Sequence, residues 1–230
     1  MSGLPVPPVS ALADVAALLG SDGWLTPPLW PMVRGAAPAI GRVRTLSMAV
    51  GDVGPGLGPV YELLSEDLSD CVVVVAGAAS LVGAIWGEIL SLAAHRSGAV
   101  GVVVDGWVRD RGEMESIGMP VFGRGERVVG PAGRAHVVAV DVAVHIDGVR
   151  ISTKDAIAVD GAGCMRLQAA REWELLDGAR RYAAAEEQVV GALRDGTKLR
   201  AAYLYKKEVV ASLQAGDAKG VTTGRGGAPS

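Results

Sequence analysis

The 230-residue sequence predicts an α/β fold with parallel strands, and three observations carry that expectation. First, Cys71-Val72-Val73-Val74-Val75 and Val100-Gly101-Val102-Val103-Val104 are short, almost wholly apolar runs, as strands covered on both faces require. Second, a helical stretch through Ile89, Leu90, Leu92 and Ala93 to His95, with Gly98 just beyond it, separates them. Strand, helix and strand in so few residues imply a parallel pair joined by a right-handed crossover. Third, hydrophobic residues make up 50% of the chain but aromatics only 4%, so the core must come mainly from Val, Ala, Leu and Ile. That composition suits a sheet buried under helices.

The remaining elements follow in order. Residues 1–10 are Pro-rich and read as loose. A short helix is expected through Ala11, Leu12, Val15, Leu18 and Leu19, stopping at Gly20. Asp22 to Pro38 reads as an ordered connector, and Gly41 to Val50 as a strand. Gly77 to Gly87 reads as a small-residue loop leading into the central helix. A helix over Arg111–Ile117 and a strand at Val121-Phe122 extend the pattern. His136–Val144 and His145–Ile151 read as two β-runs turning at Asp147-Gly148, a strong hairpin signal. Residues 166–213 predict two helices broken near Asp195-Gly196. A single domain over 1–215 and a disordered tail over 216–230, rich in Gly, Ser and Lys, complete the expectation.

Charged residues are only 20% of the chain and the net charge is -3, which gives no footprint for a polyanion, so nucleic acid is not expected as a partner. The apolar runs are too short to span a membrane. MSGLPVPPVS lacks the basic and apolar regions of a signal peptide. A cytoplasmic protein without a membrane partner is expected. Cys71 and Cys164 form no CxxC pair and read as buried, reduced thiols. His95, His136 and His145 are scattered and read as structural or surface residues.

In a parallel sheet, ligands collect beyond the carboxyl ends of the strands. Two such ends deliver GAIWGEIL (83–90) and DGWVRD (105–110), and the crossover sets them side by side. They supply Glu88, Asp105, Arg109 and Asp110. Gly87 permits close backbone approach, and the amides of Glu88, Ile89 and Leu90 fall at a helix N-terminus, where unpaired N–H groups attract anions. Arg109 offers a planar fork for a carboxylate. Asp110 and Glu88 are hard oxygen ligands for Mg²⁺ or Mn²⁺, and such a cation polarises a ketone and stabilises an enolate. Bland readings stand beside these: Arg109 and Asp110 as a surface ion pair, Glu88 as a complement to the helix dipole. Trp86 and Trp107 read either as core filler or as walls of a wide apolar pocket.

At these residues the sequence resembles the RraA-like family, which includes 4-hydroxy-4-methyl-2-oxoglutarate aldolases with oxaloacetate decarboxylase activity and ribonuclease E activity regulators. The family's mark is an acidic residue in a G-D-L-L-like turn, twenty residues, then Arg-Asp. Here Gly87-Glu88-Ile89-Leu90 is followed by residues 89–108 and Arg109-Asp110. Gly101–Gly106, Gly118-Met119-Pro120-Val121-Phe122, and the stretch from Ile146 through Asp155 to Asp160 resemble its flanking motifs, so that the likeness covers roughly residues 10–205. The resemblance implies a swivelling β/β/α fold with a central, partly parallel sheet flanked by helices, assembled as a homotrimer or hexamer. It implies that Arg109 binds a pyruvate carboxylate, Asp110 ligates the metal, the Ile89 and Leu90 amides hold substrate, and Glu88 takes the place of the aspartate that orients metal-bound water. Three positions depart from the pattern: Glu88 replaces Asp, Ala162 stands where a second Asp is frequent, and Lys154 replaces a turn Gly.

The expected activity is that of a Mg²⁺- or Mn²⁺-dependent carbon–carbon lyase. It would cleave a 4-hydroxy-2-oxo acid by retro-aldol chemistry, or decarboxylate oxaloacetate, through a metal-bound pyruvate enolate. Two alternatives stand beside it: a non-catalytic regulatory binding protein, and a lyase for a bulkier metabolite.

Overall fold

The computed structural model describes residues 5–25, 29–51, 54–131 and 133–221, the last six as backbone alone. In chain order the elements begin with α1 (Val9–Leu18), β1 (Trp24–Leu25), β2 (Trp30–Pro31), β3 (Ala39–Val50), α2 (Gly58–Leu63) and β4 (Cys71–Ala76). Next come β5 (Ala84–Trp86), α3 (Glu88–Arg96), β6 (Gly101–Val104), β7 (Trp107–Val108), α4 (Arg111–Ile117), β8 (Val121–Gly123) and β9 (Gly125–Glu126). Then follow β10 (Ala135–Val140), β11 (Val144–Ile146), β12 (Val149–Ile151), β13 (Ala156–Asp160) and β14 (Gly163–Leu167). The chain ends on α5 (Glu172–Arg194), α6 (Leu199–Ala202) and α7 (Leu204–Val221).

Where the sequence reads one domain over 1–215, the chain divides into two compact units, one of residues 1–9 and 23–172, the other of residues 10–22 and 173–230. The first unit is the α/β fold. Its main sheet runs β1-β14-β13-β3-β4-β6-β8-β2. The centre, β3-β4-β6-β8, is parallel. The flanks, β1, β14, β13 and β2, join antiparallel. β3 is long enough to pair with β13 through Ala39–Arg42 and with β10 through Leu46–Val50. The expected α/β class and partly parallel sheet are both present.

Period-two alternation explains why β4 and β6 are apolar throughout. Val73, Val75, Val102 and Val104 pack with α2, α3 and α4 through Val60, Leu63, Ala94 and Met114. Val72, Val74 and Val103 face the other way, against Val144, Ile146 and Ile151. The hairpin β11–β12 therefore covers the face opposite these helices. Its turn is Asp147-Gly148, both left-handed (φ 46° and 87°), with Ile146 opposite Val149. A two-residue turn between twisted strands needs that backbone.

Two local expectations are corrected. The presumed loop before the central helix contains β5, which pairs with β7, itself paired with β9, in a separate three-stranded sheet. Strands of two or three residues carry no readable period. The run after His136 does not feed the hairpin directly: β10 ends at Val140 and belongs to β3.

The second unit is helical. Gly178 lets α5 approach α1, since a Cβ there would lie 2.8 Å from Val15 Cγ1. Tyr182 donates to Asp14 Oδ2 at 2.8 Å, and Lys206 donates to Glu186 Oε1 at 2.6 Å while lying 4.1 Å over the Tyr182 ring. The expected break near Asp195-Gly196 separates α5 from α6 and α7, with Gly196 at φ 86°. α7 runs to Val221, six residues into the expected tail. Once nucleated, a helix adds each residue with a hydrogen bond, so Gly216 does not stop it. Residues 222–230 of that expected tail lie outside the described residues.

No described helix is long and apolar enough to cross a membrane. Both cysteines are free thiols, Cys164 buried and Cys71 half-buried. Burial pushes both thiols above their ordinary pKa, which lowers the reactive thiolate fraction. Iodoacetamide at pH 7 is expected to leave both largely unmodified, with Cys71 reacting first as pH rises. Intact mass after timed quenching checks this, and rapid labelling of Cys164 in folded protein would contradict it.

Candidate active site

The site is built where β5 and β7 lie parallel beyond the ends of β4 and β6. The Arg109 amide donates to Trp86 O at 3.0 Å, fixing the Arg109-Asp110 step against the residue before Gly87. Gly87 then caps α3 in an extended conformation, and its carbonyl accepts the first helical hydrogen bond, from Ser91 N at 3.0 Å. Across from it, Asp110 caps α4 at φ 58°. Aspartate enters this left-handed region more readily than most residues. The resulting turn brings its carboxylate back towards Gly87. A Cβ on Gly87 would stand 2.8 Å from Asp110 Oδ2 and 3.0 Å from Arg109 Cγ. Glycine is needed here for space, not for its backbone angles.

Arg109 Nε lies 3.3 Å from Asp110 Oδ2, and both side chains are more than a third exposed. Gly130 gives the guanidinium room, since a Cβ there would be 3.2 Å from Arg109 Nη1. A cavity of about 220 Å³ opens beside them. Gly87, Ile89, Leu90, Arg109 and Asp110 line it, as does Trp86. The first-turn N–H groups of the nine-residue α3, which have no partner within the helix, open at this end. A second cavity, of about 280 Å³, also has Arg109 and Asp110 in its wall, with Glu126, Arg127 and Val128.

Two predicted site residues stand apart. Glu88, the first residue of α3, is partly exposed and lines neither cavity. Trp107 also lines neither: Arg127 lies 4.0 Å over its ring, and Arg127 Nη1 donates to Val82 O at 2.6 Å. Trp86 is 2% exposed and donates its indole N–H to Ser91 Oγ at 2.9 Å, a core anchor at the cavity wall. The two indoles thus do not form one pocket.

Asp105 belongs to the scaffold. It is buried, accepts from Arg124 Nε at 2.6 Å, and lies 3.4 Å from the Gly77 amide. Arg124 also donates to Asp147 Oδ1 at 3.0 Å, tying the hairpin turn to the strand ends. Burial alone would lower the Arg124 pKa, but its hydrogen bonds to Asp147 and Asp105 more than offset that and hold it above the ordinary value.

Sequence reasoning missed Leu57, Tyr61 and Pro131, which complete the first cavity. Their only signals are the turn sequences Gly54-Pro55-Gly56 and Gly130-Pro131, which mark bends without saying what they face.

Among the described residues, no three His, Cys, Asp or Glu side chains converge as a cation site. The donor set at the cavity is the Asp110 carboxylate alone among its lining residues. That set fits Mg²⁺ or Mn²⁺, which use one or two carboxylates and fill the other positions with water and substrate. It does not fit a closed zinc site.

Residues 9–166 match the family described as RraA-like, Aldolase/RraA. The chain belongs to the RraA-like family. A Halalkalibacterium halodurans relative, provisionally named a 4-hydroxy-4-methyl-2-oxoglutarate aldolase, is 28% identical over 167 residues, covering 73% of this chain and 77% of that protein. The crystal structure of an uncharacterized protein from Pseudomonas syringae pv. tomato aligns at a TM-score of 0.76 and 26% identity, over 86% of this chain and 89% of that one. The RNA-processing inhibitor RraA from Thermus thermophilis aligns at a TM-score of 0.55 and 26% identity, over 68% and 90% of the two chains.

Proposed function

We propose that this RraA-like chain is a divalent-metal-dependent lyase that breaks a carbon–carbon bond in 2-oxo acids, by retro-aldol cleavage or decarboxylation. One observation carries the reading: Arg109 and Asp110 share a cavity wall with Gly87 at the start of α3, placing a cation, a carboxylate and helix amides around one small space. The aldolase name of the Halalkalibacterium halodurans relative agrees with it.

Each residue has a separable task. The Arg109 guanidinium pairs with the substrate carboxylate, and its planar fork fixes that group's orientation. The amides of Ile89 and Leu90 hold the substrate at the helix N-terminus. Gly87 lets it approach the backbone. Asp110 would hold Mg²⁺ or Mn²⁺, and Glu88, outside the cavity lining, would reach it only through bound water. When bound, the cation supplies Lewis-acid polarisation of the ketone and offsets charge developing on its oxygen.

Pyruvate release from oxaloacetate with Mg²⁺ or Mn²⁺ tests the proposal. The rate is expected to fall to background with EDTA, and at least tenfold in Arg109→Ala and in Asp110→Ala. Equal rates in the wild type and both variants would end it.

The Thermus thermophilis neighbour, titled an RNA-processing inhibitor, motivates a second reading as a regulatory binding protein. That reading needs no cation. A chain that releases no pyruvate with either metal, yet inhibits a ribonuclease equally well with and without EDTA, would favour it.

A further inference from the structure

A helix that holds an anion faces a conflict at its first turn. A capping side chain would fix the helix start, but it would occupy the N–H groups that the ligand needs. α3 begins without one: Gly87 stands at the cap, and no capping side chain bonds to the first-turn amides. The helix must then be held against Arg109 by some other contact.

Trp86 supplies that contact from both its main chain and its side chain. Its carbonyl accepts the Arg109 amide at 3.0 Å, and its indole N–H donates to Ser91 Oγ at 2.9 Å. The Ser91 amide in turn donates to Gly87 O at 3.0 Å, closing the first turn of α3. One residue thus links the Arg109 backbone to the helix a turn beyond its start. Trp86 is 2% exposed and Ser91 1%, so water does not compete for the bond between them. The strand ladder adds little to this hold. β5 has three residues, and its register with β7 shifts between Ala84 and Trp86.

We infer that Trp86 and Ser91 are positioning residues, whose buried hydrogen bond sets the Ile89 and Leu90 amides in place relative to the Arg109 guanidinium. The inference rests on the lyase reading for what those groups hold. The role needs no contact of either side chain with substrate. The bond works from inside the core and leaves the first-turn amides to the ligand.

The test is steady-state pyruvate release from oxaloacetate in Mg²⁺, beside urea unfolding of the same variants. Ser91→Ala removes one oxygen, adds no bulk and raises helix propensity, so α3 stays helical. It is expected to lower kcat about tenfold with KM within about threefold. Arg109 keeps its hold on the carboxylate while the reacting end is less well oriented. Trp86→Phe and the double variant are each expected to lose about the same factor, since all three lack one and the same bond. Ala94→Gly weakens the same helix at a buried position away from that bond. It is expected to lower the urea midpoint and leave kcat unchanged. Wild-type kcat in Ser91→Ala overturns the inference and leaves the lyase reading standing. An equal loss of kcat in Ala94→Gly also overturns it, by tracing the effect to a weaker helix. A loss of about a hundredfold in the double variant overturns it too, since the two residues would then act separately. Absence of pyruvate release by the wild type ends both readings.

Discussion

Gly87→Ala is expected to lower kcat/KM for pyruvate release by about a hundredfold while leaving the protein folded. The added methyl would sit 2.8 Å from Asp110 Oδ2 and 3.0 Å from Arg109 Cγ, distances at which something must move. The two nearest atoms belong to partly exposed side chains, which give way first, while the Arg109 carbonyl, at 3.3 Å, needs to yield only a few tenths of an ångström. A displacement of about an ångström at reacting groups is enough for a loss of that order. Stability should hold, because Gly87 has φ −174°, extended backbone that alanine adopts without strain. Steady-state kinetics beside urea unfolding separates the two effects. Activity within twofold of wild type would mean that the closeness of residues 87, 109 and 110 has no catalytic meaning.

Asp105→Ala is expected to cost about 1–3 kcal/mol of stability, the usual penalty for leaving buried donors without their acceptor. Only 8% of the Asp105 side chain and 15% of that of Arg124 is exposed. The variant leaves the guanidinium with Asp147 as its remaining carboxylate partner, and the Gly77 amide loses its nearby acceptor. Urea denaturation should show a lower midpoint with an unchanged slope. A loss below about 1 kcal/mol would show that water readily takes the place of the carboxylate.

These two residues also show what was legible in the sequence. Gly87, Arg109 and Asp110 were readable because the strands before them are unambiguous: four valines cannot be partly solvated, so β4 and β6 had to be central and their ends had to meet. Asp105 was grouped with them on the same reasoning, yet it turns to Arg124. Sequence places a residue at a strand end but does not say which neighbour its side chain answers to. Leu57, Tyr61 and Pro131 come from segments whose approach depends on how α2 and the turn after β9 pack. No local pattern encodes that approach. The Asp147-Gly148 turn was legible for the opposite reason, since its backbone requirement is met within two residues. β5 was not, because three residues have no period and acquire strand character only from β7.

The contact between Gly83 and Gly130 bears on how this cavity could change. A Cβ on Gly83 would fall 2.1 Å from Gly130 O, and the adjacent Ala84 N donates to Val129 O at 2.8 Å. One backbone seam thus joins the segment of Ala84 to that of Pro131, both of which line the cavity. Any side chain at position 83 would have to displace the 129–131 segment, and with it Gly130, which lies against the Arg109 guanidinium. A lineage or a designer altering position 83 would therefore change the cavity wall and the setting of Arg109 together.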